Sequence, residues 1–99
     1  MFKNPRYLTK GISTELDLFL QFLLWELIEE MEVKKDFLQI FRLKPILVDG
    51  DMVQEIVHTQ EEPLYENRIV LNKLTQPITA KIYVIDSGTY TTMFLAEDY

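Results

Sequence analysis

The sequence contains no cysteine, only three glycines and a single histidine. The first absence rules out a disulfide framework, thiol catalysis and cysteine-based zinc sites. With glycine confined to Gly11, Gly50 and Gly88, there is no glycine-rich loop to cradle phosphates. A G-x-S-x-G nucleophile elbow is also absent, and Ser87 in Asp86-Ser87-Gly88 reads as a hairpin residue. One imidazole without a thiol is a poor basis for a tight transition-metal site. Asp49-Gly50-Asp51 is far short of a calcium-binding loop. No cofactor and no metal site are therefore expected.

Long apolar runs are scarce too. The longest candidate, Leu16 to Ile28, is too short to span a bilayer and is interrupted by Asp17, Gln21 and Glu26. Behind Lys3, Arg6 and Lys10 there is no apolar stretch of the signal-peptide kind. A soluble, cytoplasmic protein with no membrane partner is the expectation. The 99 residues suit one α+β domain, and a hydrophobic fraction of 47% is ample for its core.

Charge of one sign is in short supply. A net charge of −6 argues against general binding of nucleic acid, which needs clustered Lys and Arg. The charges nevertheless come in blocks: positive at the N-terminus, negative from Glu15 to Glu32, net positive from Lys34 to Lys44, and strongly negative from Asp49 to Glu66.

Ser13 and Thr14 are candidate helix caps, and Thr14 and Asp17 have capping-box spacing. One helix is predicted over Glu15 to Met31. Leu16, Leu20, Leu23, Leu24, Leu27 and Met31 form one stripe, as a helix covering a sheet requires. Leu18, Phe22 and Trp25 form a second ridge, which something must cover. Because closed two-fold dimers are common and aromatics enrich interface cores, this ridge is the candidate homodimer interface. Burial within the chain is the alternative, and in that case Trp25→Glu would unfold the domain.

Around the helix the period falls to two. Arg6 to Thr9 reads as a short first strand. Asp36 to Lys44, ending at Pro45, Met52 to Gln60, Tyr65 to Leu71, Ile78 to Ile85 and Tyr90 to Ala96 read as the rest. Asp49-Gly50 and Asp86-Ser87-Gly88 mark turns. The predicted architecture is α+β: a short strand, one long helix, then an antiparallel β-meander of five to six strands covered on one face.

Two other sites compete with the ridge. His58 precedes Glu61 and Glu62, and a carboxylate orienting the ring would make an acid–base or small-ligand site. The strand ending before Pro63 favours a packing histidine instead. Lys34, Lys35, Phe37, Phe41, Arg42 and Lys44 interleave charge and rings as single-strand binders do. Alternation places Phe37, Phe41 and Leu43 on one face, with Arg42 and Lys44 on the other, which is equally the pattern of a half-buried strand. The leading reading is a non-enzymatic interaction or regulatory module acting as a homodimer. A site at His58 comes second and nucleic-acid binding third.

Several stretches also resemble a known family. They are Pro5 to Ile12, Leu23-Leu24-Trp25, Phe37 to Phe41, His58 to Pro63, Lys81 to Asp86 and Thr92 to Tyr99. Together they resemble small uncharacterised proteins of low-GC Gram-positive bacteria and their phages, the domain-of-unknown-function 960 type. The resemblance covers nearly the whole chain, with Pro45 to Val53 outside it. It implies a bacterial cytosolic setting and brings no catalytic residue. The polar stretches Gln60 to Pro63 and Ala96 to Tyr99 fall within it.

Overall fold

The computed structural model describes residues 1–72 and 76–99. The elements are β1 (Arg6–Leu8), α1 (Lys10–Glu15), α2 (Leu18–Glu29), β2 (Leu38–Val48), β3 (Asp51–Gln60), β4 (Tyr65–Leu71), β5 (Ala80–Asp86) and β6 (Thr91–Leu95), followed by a 3-10 turn at Ala96–Asp98. They form an α+β fold with one six-stranded sheet in the order β1-β6-β5-β2-β3-β4. Only β1 runs parallel to its neighbour.

The strands do not make one continuous meander. β2, β3 and β4 follow each other, but β5 returns to the far side of β2 instead of pairing with β4. This makes β2 central, so alternation alone decides which side chains reach the helices. On the helix side, Phe41 lies between His58 of β3 and Ile82 of β5 in register. Phe41, Leu43, Ile56, Ile82, Val84 and Met93 are buried there beneath Ile12, Leu16, Leu20, Leu24, Leu27 and Ile28. Each such side chain contributes about 1.5–3 kcal/mol by leaving water.

The helical region is divided where one helix was expected. Thr9, not Ser13 or Thr14, caps the first piece, its Oγ1 accepting from the Ile12 N–H. Leu16 is extended (φ −109°, ψ 131°), which drives its side chain into the core. Asp17 then restarts the helix as an N-cap, accepting from the Leu20 N–H at 2.9 Å, rather than closing a box with Thr14. The Gln21 amide donates to the Leu16 carbonyl at 2.9 Å and so satisfies a backbone group freed by the break. α2 stops at Glu29, before the expected Met31. At Gly11, a methyl group would come within 2.8 Å of Asp98 Oδ2 and 3.0 Å of Leu95 Cδ1, so α1 can approach β6 closely only without one.

β2 also continues through Pro45 to Val48, past its expected end. Pairing with β5 stops at Leu43, so the missing proline N–H breaks no ladder bond on that side. The hairpin closes at Asp49-Gly50, where φ is 49° and 87°, as a two-residue turn of primed type demands. Leu47 and Met52, direct partners near its tip, are exposed. Among the described residues no helix is long and apolar enough to cross a membrane.

Candidate functional site

The ridge on α2 splits into two parts. Leu18 and Phe22 are each 68% exposed, as expected of an interface, whereas Trp25 is only 7% exposed and belongs to the core. The three share a stripe, but β1 covers its C-terminal end: the Arg6 guanidinium lies 4.8 Å from the Trp25 ring centre and pairs with Glu29. Trp25 is therefore removed from the candidate interface. Phe19, 55% exposed, takes its place beside Leu18 and three residues before Phe22. Sequence reasoning assigned Phe19 to neither stripe, although its spacing from Phe22 was the available signal. Leu18, Phe19 and Phe22 make one apolar surface on the N-terminal turns of α2.

His58 is fully buried on the helix side of β3. Its ring stacks on Phe41 at 4.3 Å and meets Tyr65 edge-on at 5.4 Å. Glu61 and Glu62 lie in the exposed turn after β3, and no carboxylate bonds to the ring among the described residues. β3 ends at Gln60, so the alternation that would put Glu62 on the His58 face has already stopped.

The actual partner of His58 is an amide, and the chain of hydrogen bonds fixes its tautomer. Gln39 Nε2 donates to the Asp36 carbonyl and to Gln60 Oε1, so Gln39 Oε1 is the acceptor facing His58. His58 Nε2 therefore carries the proton, donating across 2.7 Å. Gln60 Nε2 donates onward to the carbonyls of Lys34 and Pro63. Nδ1 is left without a partner among the described residues, and burial pushes the ring's pKa down to about 4. The neutral ring is packed between Phe41 and Tyr65 and bonded to an amide, and among the described residues no carboxylate orients it.

The Lys34–Lys44 segment is divided as well. Phe41 and Leu43 face the helices, and Phe37 lies before β2, exposed rather than on their face. Arg42 and Lys44 project on the opposite, open side of the sheet, where Lys81 of β5 and Arg68 of β4 share their rows. Glu55 lies among them, nearly buried, paired to Arg68 and more loosely to Lys44 at 3.9 Å. A groove of about 690 Å³ runs across this face. Beside it, Tyr83 and Phe94 are cross-strand partners, and Tyr99 stacks on Phe94. No group of three His, Asp or Glu side chains converges as a metal centre would need, among the described residues.

At the other end of the sheet, Asp86 ties down the N-terminus. Its Oδ2 accepts from the Phe2 N–H at 2.7 Å, and its Oδ1 accepts from Asn4 Nδ2 at 2.9 Å and the Gly88 N–H at 2.7 Å. Burial alone would raise the Asp86 pKa. The N–H groups of Phe2 and Gly88, the Asn4 amide and the N-terminal ammonium outweigh it, and the carboxyl is held below its usual range.

Comparison with known proteins agrees with this architecture. The model of a family described as staphylococcal protein of unknown function (DUF960) matches residues 5–98. A crystal structure of a protein of unknown function from Enterococcus faecalis superposes with a TM-score of 0.75 at 22% identity, over 97% of this chain and 91% of that one. At that identity the likeness shows the fold alone. No curated protein matches the chain.

Proposed function

Because the chain belongs to the DUF960 family, a kinship that carries no assigned chemistry, we propose that it is a non-enzymatic interaction module of the bacterial cytosol, acting as a homodimer through the N-terminal turns of α2. The observation that carries this reading is the exposure of Leu18, Phe19 and Phe22 on a helix whose opposite stripe already fills the core. Three large apolar side chains clustered in water are costly, and a two-fold partner presenting the same patch covers them at no cost in new sequence. The arrangement around His58 supports the non-enzymatic half: the ring is neutral, buried and bonded to an amide.

Light scattering on a sizing column tests the proposal with wild type and Leu18→Glu/Phe22→Glu. Both positions are exposed, so the double variant should keep its circular dichroism and a cooperative melt, lowered only by the lost association, while its mass falls from dimer to monomer. A monomeric wild type would remove the reading.

A further inference from the structure

The open face of the sheet carries a second surface, independent of the α2 patch because it lies on the other side of the strands. Arg42 and Lys81 are direct partners in the β2–β5 register. Like charges in that position repel and destabilise a sheet. Neither makes an ion pair among the described residues; Arg42 reaches only the Thr59 hydroxyl, at 3.5 Å. The Lys81 ammonium instead lies over the Tyr83 ring, 5.4 Å from its centre. Two cations from directly paired backbone positions, neither in an ion pair among the described residues and both lining one groove, offer a place for an anion.

What flanks them narrows the anion's chemistry. Tyr83 meets its cross-strand partner Phe94 edge-on at 5.8 Å. Tyr99, 85% exposed, lies nearly parallel to Phe94, with ring centres 5.6 Å apart and an 18° tilt. Tyr99 lies offset over Phe94 and edge-on to Tyr83 at 5.7 Å, so the three rings form one cluster whose exposed member, Tyr99, has a face open for a stacked base. Arg68 and Lys44 extend the basic side across β4 and β2. Carboxylates are present too: Glu55 is already held by Arg68 and Lys44, and Glu66 and Glu97 line the same groove. Among the described residues the groove is lined by three cations, Arg42, Lys44 and Lys81, and three carboxylates, Glu55, Glu66 and Glu97, with Arg68 paired to Glu55 beside it, so it is locally balanced on a chain whose net charge is −6.

We propose that this face binds single-stranded nucleic acid, with backbone phosphate between Arg42 and Lys81 and bases on the Tyr83–Phe94–Tyr99 aromatics. The unpaired cations alone would suit an acidic peptide equally well. The adjoining rings favour bases, whose π-faces stack on aromatics without regard to sequence.

Fluorescence anisotropy with labelled oligothymidylate and oligouridylate of about twelve nucleotides tests this, at low and at raised salt. Wild type should bind at low salt and weaken steeply as salt rises. Lys81→Glu should abolish binding yet melt no lower than wild type, because it replaces a repulsive cross-strand pair by an attractive one. Tyr83→Leu, which keeps an apolar side chain on the strand, should weaken binding roughly tenfold through lost stacking. Absence of binding at low salt overturns the proposal, and so does binding unchanged in Lys81→Glu. Poly-glutamate binding as tightly as the oligonucleotides, with Tyr83→Leu without effect, would assign the face to an acidic peptide and overturn it as well. Leu18→Glu/Phe22→Glu leaves this face intact, so loss of the dimer and loss of binding are read separately.

Discussion

His58 Nε2 lies 2.7 Å from Oε1 of Gln39, and the burial of that pair makes the protein's stability sensitive to mild acid. The neutral ring donates there, and protonation would place an uncompensated charge on buried Nδ1. The ordinary pKa of 6.5 falls to about 4 in the folded chain. Above pH 6.5 the ring is neutral in both states and its full stabilising effect is present. Between 6.5 and 4 the unfolded chain takes up the proton and the folded one does not, so stability falls as pH falls. The loss should approach about 3 kcal/mol near pH 4. Urea titrations at steps between pH 7.5 and 4 check it. His58→Gln, which can still donate to Gln39 but cannot ionise, should flatten that part of the profile.

Trp25 and Phe22 are three residues apart on α2 and should respond very differently to truncation. Trp25→Ala opens a cavity beneath β1 and frees Arg6, and should cost about 3–5 kcal/mol. Phe22→Ala removes an exposed ring and should change monomer stability by less than about 0.5 kcal/mol. Chemical denaturation of both variants on a Leu18→Glu background, which places a charge in the proposed interface, makes the comparison. Equal losses would mean that the ridge is covered within the chain along its whole length.

That contrast shows where sequence patterning carries information and where it fails. The stripe of Leu20, Leu24 and Leu27 was legible because a helix on a sheet must repeat every three to four residues, whereas Leu16 reaches the same core from the extended break before α2. The strands and the Asp49-Gly50 turn were legible for similar local reasons. Trp25 was misplaced because its cover, Arg6, comes from a strand nineteen positions away and no periodicity reports on that. The return of β5 to β2 is likewise a tertiary choice, and with it the meeting of Arg42 and Lys81. The Lys34–Lys44 stretch suggested a basic track within one segment, whereas the open face collects its charges from three strands.

The break between α1 and α2 depends on Asp17. Its carboxylate satisfies the Leu20 N–H, while the Gln21 amide satisfies the Leu16 carbonyl. Asp17→Ala should cost about 1 kcal/mol through the lost cap. Asp17→Asn retains an acceptor oxygen and should recover most of that loss. Thermal melts of the two variants side by side distinguish a capping role from a general effect of removing a charge.

Asp86 is the anchor for the first four residues, and the test of its role is local. Phe2 is buried at φ 66°, a conformation that a phenylalanine rarely holds, and its N–H is fixed by Asp86 Oδ2. Asp86→Asn replaces one acceptor oxygen with an amide nitrogen, so either Phe2 or the Asn4–Gly88 side loses its acceptor. The expected cost is about 1–3 kcal/mol, the penalty of a buried polar group left unmade. Because the folded pKa is depressed, the wild-type carboxylate stabilises above pH 3.8, and its contribution is lost as pH falls through the folded value. Asp86→Asn should remove that acid limb while leaving the slope between pH 6.5 and 4, which belongs to His58. Hydrogen exchange at the Phe2 amide gives the direct reading: slow in wild type, and accelerated in the variant well beyond the change in global stability. Exchange that merely tracks global unfolding would show that the N-terminus is held by the packing of Phe2 alone.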